Sequence, residues 1–154
     1  MFGAYSIRQA ALADAATIVD HRRGMFISMG VEEAALRPFD AAFHAWVSVH
    51  LQQGSYVGWL TEHQSEVVAG AGLWVHEWMP GVNAPTGVRG YILNVYTAPE
   101  HRRRGLAAHL VEQCIEVCRQ RGIPVVGLHA SDEGRPIYER MGFLPTNEMR
   151  LLLT

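Results

Sequence analysis

Residues 95–105 read VYTAPEHRRRG, and Leu106 and Ala107 come next. A β-branched, aromatic strand stops ahead of Pro99, three arginines succeed it, and Gly105 then opens a strongly amphipathic segment. The first turn of a helix leaves backbone N–H groups without intrachain acceptors and gathers the positive end of the macrodipole, so a strand, a basic turn and a helix start form a cradle for phosphate. Gly105 has no Cβ to hold a ligand off the backbone, Ala107 keeps the next turn slim, and Arg102, Arg103 and Arg104 add positive charge. Taken alone, the segment is also what a solvated basic turn looks like.

The downstream residues favour the cradle. Ala107, Leu110, Val111, Cys114, Ile115 and Cys118 recur at helical spacing as one apolar stripe, with His109, Glu112, Gln113, Glu116 and Arg119 opposite. Gly122 supplies a stop, Pro124 forbids continuation, and residues 125–128 read as a buried strand. Strand, glycine-opened helix and strand make a parallel crossover unit, in which ligands sit at the carboxyl end of the first strand.

Two familiar phosphate motifs are excluded. A Walker loop needs a lysine, and the chain has none; a dinucleotide fingerprint needs three glycines where this turn supplies one. The segment resembles the coenzyme A signature of the GNAT acetyltransferase superfamily, Arg/Gln-x-x-Gly-x-Gly/Ala, here Arg102-Arg103-Arg104-Gly105-Leu106-Ala107. A second element of that family, YERMGF at residues 138–143, lies downstream.

The resemblance implies an acetyl-CoA-dependent N-acetyltransferase with a mixed central sheet of about six or seven strands flanked by about four helices. It implies a splay between the fourth and fifth strands, where Val95 and Thr97 would hold the pantetheine arm by main-chain bonds, with Tyr96 between them also a coenzyme contact, and residues 102–107 would hold the pyrophosphate. Acyl transfer from a thioester to an amine needs a proton donor at the departing sulfur, and the tyrosine of Y-x-x-x-G-F does this in family members, which assigns the role to Tyr138. Many relatives carry asparagine seven residues before that tyrosine. Ser131 stands there instead, which weakens it as a coenzyme contact.

The base is open at this level. Protein-modifying relatives place a glutamate on the fourth strand, and the matching position holds Tyr91. Glu77, His76 or a water held by Asn94 are the candidates, although strand alternation puts His76 with Trp74 and Trp78 on one face and Glu77 on the other. The acceptor wall would come from the first two helices and the loop at residues 79–87, with Trp74, Trp78, Glu32, Glu33 and Arg37 as possible contacts. A small-molecule amine or an amino acid is the expected acceptor; a protein N-acetyltransferase and a non-catalytic coenzyme A-binding module are the alternatives.

The elements that must position these groups are legible in the rest of the chain. Residues 4–8 read as a first strand. Asp14 caps a helix whose Ala15, Ile18, Val19, Arg22, Met25, Phe26 and Met29 share a face before Gly30 ends it. Pro38 sits near the start of a second helix, with Phe39, Phe43, Trp46, Val47 and Leu51 inward. Strands come next at residues 55–62, 67–78 and 88–97, the first two joined by a hairpin at His63, Gln64 and Ser65. Asp132 would cap the short helix bearing Tyr138, and a final strand spans residues 148–153. Its apolar end, Leu151 to Leu153, would be awkward at an open edge, which predicts burial in a homodimer.

Composition agrees. The chain has 154 residues, 49% hydrophobic and 18% charged, enough for a single domain with a real core. A formal net charge of -2 argues against a nucleic-acid or anionic-membrane binder. No stretch resembles a signal peptide or a membrane span, so cytoplasm is the expected location. Cys114 and Cys118, one turn apart on the stripe, are core residues, and the eight histidines show no metal-ligand spacing. No metal is expected.

Overall fold

The computed structural model describes residues 3–153. The chain runs β1 (Tyr5–Gln9), α1 (Ala15–Ser28), α2 (Glu33–Gln53), β2 (Tyr56–His63), β3 (Glu66–Glu77), β4 (Val88–Thr97), α3 (Leu106–Gln120), β5 (Val126–Leu128) and α4 (Arg135–Arg140). The strands form one sheet in the order β1-β2-β3-β4-β5, antiparallel up to β4, with β5 joining parallel. The parallel step arises from α3, which carries the chain back across the sheet.

Strand alternation sorts the core into two layers. Ala69, Leu73 and Ile92 pack under the α3 stripe of Leu106, Leu110, Val111, Cys114 and Cys118. The opposite face meets α1 and α2 through Ala15, Ile18, Val47 and Tyr56. Gly70 and Gly72 lie on that second face for a steric reason. A Cβ at Gly70 would stand 2.7 Å from Nδ1 of His21, and one at Gly72 would overlap the phenol of Tyr56. Both rings therefore occupy the space that side chains at these positions would fill.

Several sequence expectations are corrected. The sheet has five strands among the described residues, not six or seven, because residues 144–153 form no strand. β5 is three residues long, and its free edge offers too few ladder bonds to offset the entropy of ordering that segment. Leu151, Leu152 and Leu153 are exposed. α2 begins at Glu33, so Pro38 lies inside the helix, and Phe39 is 65% exposed rather than inward. Asp14 does not cap α1 with its side chain. It accepts from the Ala11 N–H at 2.7 Å and forms a two-pronged pair with Arg8, which holds its carboxyl below the usual range. Ser131, not Asp132, caps the turn before α4: its hydroxyl accepts from the Gly134 N–H at 3.1 Å. Among the described residues no helix is long and apolar enough to cross a membrane.

Candidate active site

The site begins with a defect in the sheet. Gly70 pairs with Tyr96 but Gly72 with Leu93, so Ala71 alone faces both Asn94 and Val95. The extra residue is a β-bulge, and Asn94 takes it up with a left-handed φ of +57°. β4 pairs with β5 only from Gly90 to Ile92. Past the bulge its β5-side edge is open. The Ala98 N–H donates to the Val68 carbonyl on β3 at 2.8 Å, so backbone alternation turns the peptide groups of Val95 and Thr97 toward the opening.

The open edge leads to the basic turn. Arg103 and Gly105 both adopt left-handed backbone, φ +59° and +77°. Alternating backbone of this kind folds successive N–H groups into one concavity, a nest for an anion, here continuous with the positive end of the α3 dipole. Among the described residues, no backbone acceptor meets the N–H groups from Arg103 through Ala108. A Cβ at Gly105 would meet no protein atom within 4 Å, so the space above the nest is open.

The three arginines divide. Arg103 lines the cleft together with Gly105, Leu106 and Ala107, whereas Arg104 does not. Arg102 lines it too, but as a staple: Nε donates to the Thr97 carbonyl and Nη2 to Ser28 Oγ, each at 3.0 Å. It ties the end of β4 to α1, and the Thr97 carbonyl is thereby engaged.

The cleft has a volume of about 1590 Å³, and Val95, Tyr96, Thr97, Asn94, Ser131 and Tyr138 all border it. Tyr138 is 8% exposed, and its ring meets Phe143 edge to face with centroids 5.9 Å apart. Burial raises its pKa, which keeps the phenol protonated. Burial alone causes that shift, with no hydrogen bond to the hydroxyl contributing.

Asn94 is in the cleft but not free. It is 2% exposed, its amide donates to Tyr56 Oη at 3.1 Å, and its carbonyl accepts from Arg22 Nη1 at 3.2 Å. Glu77 and His76 do not border the cleft, because β3 carries them past its end; His76 instead stacks on Trp74 at 4.5 Å. Glu77 is therefore out of place for a base at this cleft. Trp74 reaches the cleft, whereas Trp78, Glu32, Glu33, Arg37 and the loop at residues 79–87 do not. That loop folds on itself through bonds between Gly81 and Ala84.

Two groups escape sequence reasoning. His129, the first residue past β5, hydrogen-bonds through Nδ1 to Tyr91 Oη, and both border the cleft. A polar residue at the carboxyl end of a parallel strand is the available signal. Arg22 also borders the cleft, and its signal is an arginine on an otherwise apolar helix face.

This architecture, a bulged fourth strand splayed from a fifth and aimed at an anion nest, is that of an acyl-coenzyme A acyltransferase fold. The profile of the acetyltransferase (GNAT) family matches residues 17–143, and the chain belongs to that family. A GCN5-related N-acetyltransferase from Ralstonia eutropha JMP134 superposes with a TM-score of 0.93 at 37% identity, covering 97% of this chain and 98% of the other. A predicted acetyltransferase from Clostridium acetobutylicum, solved with acetyl-CoA, gives 0.89 at 28% identity, covering 97% and 96%. An acetyltransferase from Trypanosoma brucei, at 22% identity and a TM-score of 0.70 over 97% and 99% of the two chains, shares the fold. No curated protein matches the chain.

Proposed function

We propose that this chain transfers the acetyl group of acetyl-CoA to the primary amine of a small molecule or amino acid, by direct attack within a ternary complex. The observation that carries this reading is the continuity of the open β4 edge at Val95 and Thr97 with the nest of N–H groups at Arg103 to Ala108. A pantetheine arm and its diphosphate have that sequence of needs: peptide-like bonds along a strand, then a concentrated anion site.

Acetyl-CoA supplies the activated acyl carbon, and the chain supplies position and proton transfer. Val95 offers peptide groups to the pantetheine, Arg103 and the α3 N-terminus hold the diphosphate, and Ser131 lies beside the cleft with its hydroxyl already engaged by Gly134. His129, oriented by Tyr91, takes a proton from the acceptor ammonium. As the new C–N bond forms and the C–S bond breaks, Tyr138 donates its phenolic proton to the departing sulfur and recovers one from solvent.

The test is thiol release from acetyl-CoA across a panel of small amines, amino acids and peptides, with acetylated product identified by mass. Turnover of small amines is expected. Calorimetric binding of coenzyme A with no turnover on any acceptor would replace the enzyme with a coenzyme-binding module, and turnover on peptides alone would make it a protein acetyltransferase.

A further inference from the structure

Arg22 projects from α1 into the cleft. Its guanidinium carbon lies 4.4 Å from the centroid of Phe43 and 5.0 Å from that of Phe26. Its protein hydrogen bond goes to a neutral acceptor, Asn94 Oδ1. No carboxylate among the described residues pairs with it, whereas Arg23 beside it binds both Asp20 and Asp40, and Arg8 binds Asp14 and Glu62. A guanidinium has five N–H donors and is bound best by a planar two-oxygen anion. A half-buried cation without a counter-charge is unfavourable in the empty protein and becomes favourable once a ligand brings an anion.

The fold holds this cation in place. Tyr56 Oη accepts from Asn94, Asn94 accepts from Arg22, and Gly72 leaves the space in which Tyr56 lies. The left-handed backbone at Asn94 is what points that amide out of the sheet, at the residue next to Val95. Around the guanidinium the cleft is apolar and aromatic, lined by Met25, Phe26, Phe43, Trp46 and Trp74.

We propose that Arg22 binds the carboxylate of the acceptor, and that the acceptor is an α-amino acid with an apolar side chain. This deepens the acetyltransferase reading and rests on it. A carboxylate held beside Asn94 puts the α-amino nitrogen, two bonds away, alongside Val95, where the acyl carbon must lie. The side chain then packs on the rings of Phe43, Trp46 and Trp74. The ionisable groups that act on the guanidinium are the phenols of Tyr56 and Tyr91, and Tyr91 in turn bonds His129, the base of the proposed reaction; none of them is a cation that would compete for the carboxylate.

The experiment compares three acceptors of one shape, phenylalanine, phenylalaninamide and phenethylamine, with the native chain, Arg22→Met and Arg22→Lys. The native protein is expected to prefer phenylalanine, and Arg22→Met to lose about 10- to 100-fold in kcat/KM on it, mostly as a higher KM, while the two acceptors without a carboxylate change little. Arg22→Lys keeps charge without the fork and should fall between. Arg22→Met relieves an unpaired cation but leaves Asn94 Oδ1 without its donor and loses two ring contacts, so thermal unfolding is measured alongside to show that the variant is folded at the assay temperature. Calorimetry of phenylalanine against phenylalaninamide on the coenzyme A-loaded protein reads the same preference without turnover. Equal losses on all three acceptors, or native binding that ignores the carboxylate, overturns the proposal while leaving acetyl transfer intact. Failure of the acetyltransferase reading is distinct, since no acceptor would then be acetylated although carboxylate-dependent binding could still be measured.

Discussion

Tyr138→Phe separates chemistry from architecture at this site. The ring is buried and packs edge to face on Phe143, and phenylalanine preserves that contact. No hydrogen bond contributes to the raised pKa of the hydroxyl, so deleting it strands no described donor or acceptor. Thermal stability should therefore shift by less than about 0.5 kcal/mol, the range of substitutions that disturb no packed or bonded group. Coenzyme A affinity should also survive, because the nest and the β4 edge are untouched. Turnover has no such protection. A positioned general acid contributes roughly 100- to 10,000-fold, or about 3 to 5 kcal/mol in the barrier, and burial keeps this phenol protonated and ready to donate. The assay is steady-state thiol release with a verified acceptor, joined to a single-turnover measurement that isolates the chemical step. Parent-rate chemistry in the phenylalanine variant would make Tyr138 a packing residue and leave the proton to water. A loss confined to KM would mean that the hydroxyl binds substrate and transition state equally.

Gly105→Val imposes a β-branched side chain on a left-handed backbone, costing about 1 to 2 kcal/mol of stability, and fills the mouth of the nest. Calorimetry should find a folded protein with sharply weakened coenzyme A binding, and unchanged affinity would remove the nest as the diphosphate site. His129→Gln should lower kcat by about 100-fold or more with coenzyme affinity retained, a split that purely structural damage would not give. His21 supplies a pH test of the fold itself. Burial against Tyr96 and Gly70 lowers its pKa from 6.5 to about 4, so the unfolded chain takes up a proton that the folded chain refuses. Its contribution is neutral above pH 6.5 and turns increasingly destabilising as pH falls toward 4, reaching about 3 kcal/mol. Urea melts at stepped pH should show that slope in the native protein and lose it between pH 6.5 and 5 in His21→Gln.

The sequence determined whatever depends on local periodicity and backbone chemistry. β4 at Val88–Thr97 is legible residue for residue, and the α3 stripe with its buried Cys114 and Cys118 emerges from helical spacing alone. Gly105 and the arginines before it announce the nest, because a left-handed turn ahead of a helix needs glycine and its chemistry is carried by backbone N–H groups that neighbours in sequence supply. Short, weakly patterned segments are harder: residues 148–153 have the composition of a strand, but a strand exists only where another edge pairs with it. The acceptor half of the site was decided by tertiary structure. Glu77 has the chemistry of a base, but the sheet carries it past the cleft, and Arg22 reads as one more position on a helix face. Its partner Asn94, and Tyr56 bonded in turn to Asn94, lie 72 and 34 positions along the chain. No local pattern could reveal that the fold leaves this cation facing aromatic rings without a carboxylate, since the absence of a partner is a property of the packed molecule as a whole.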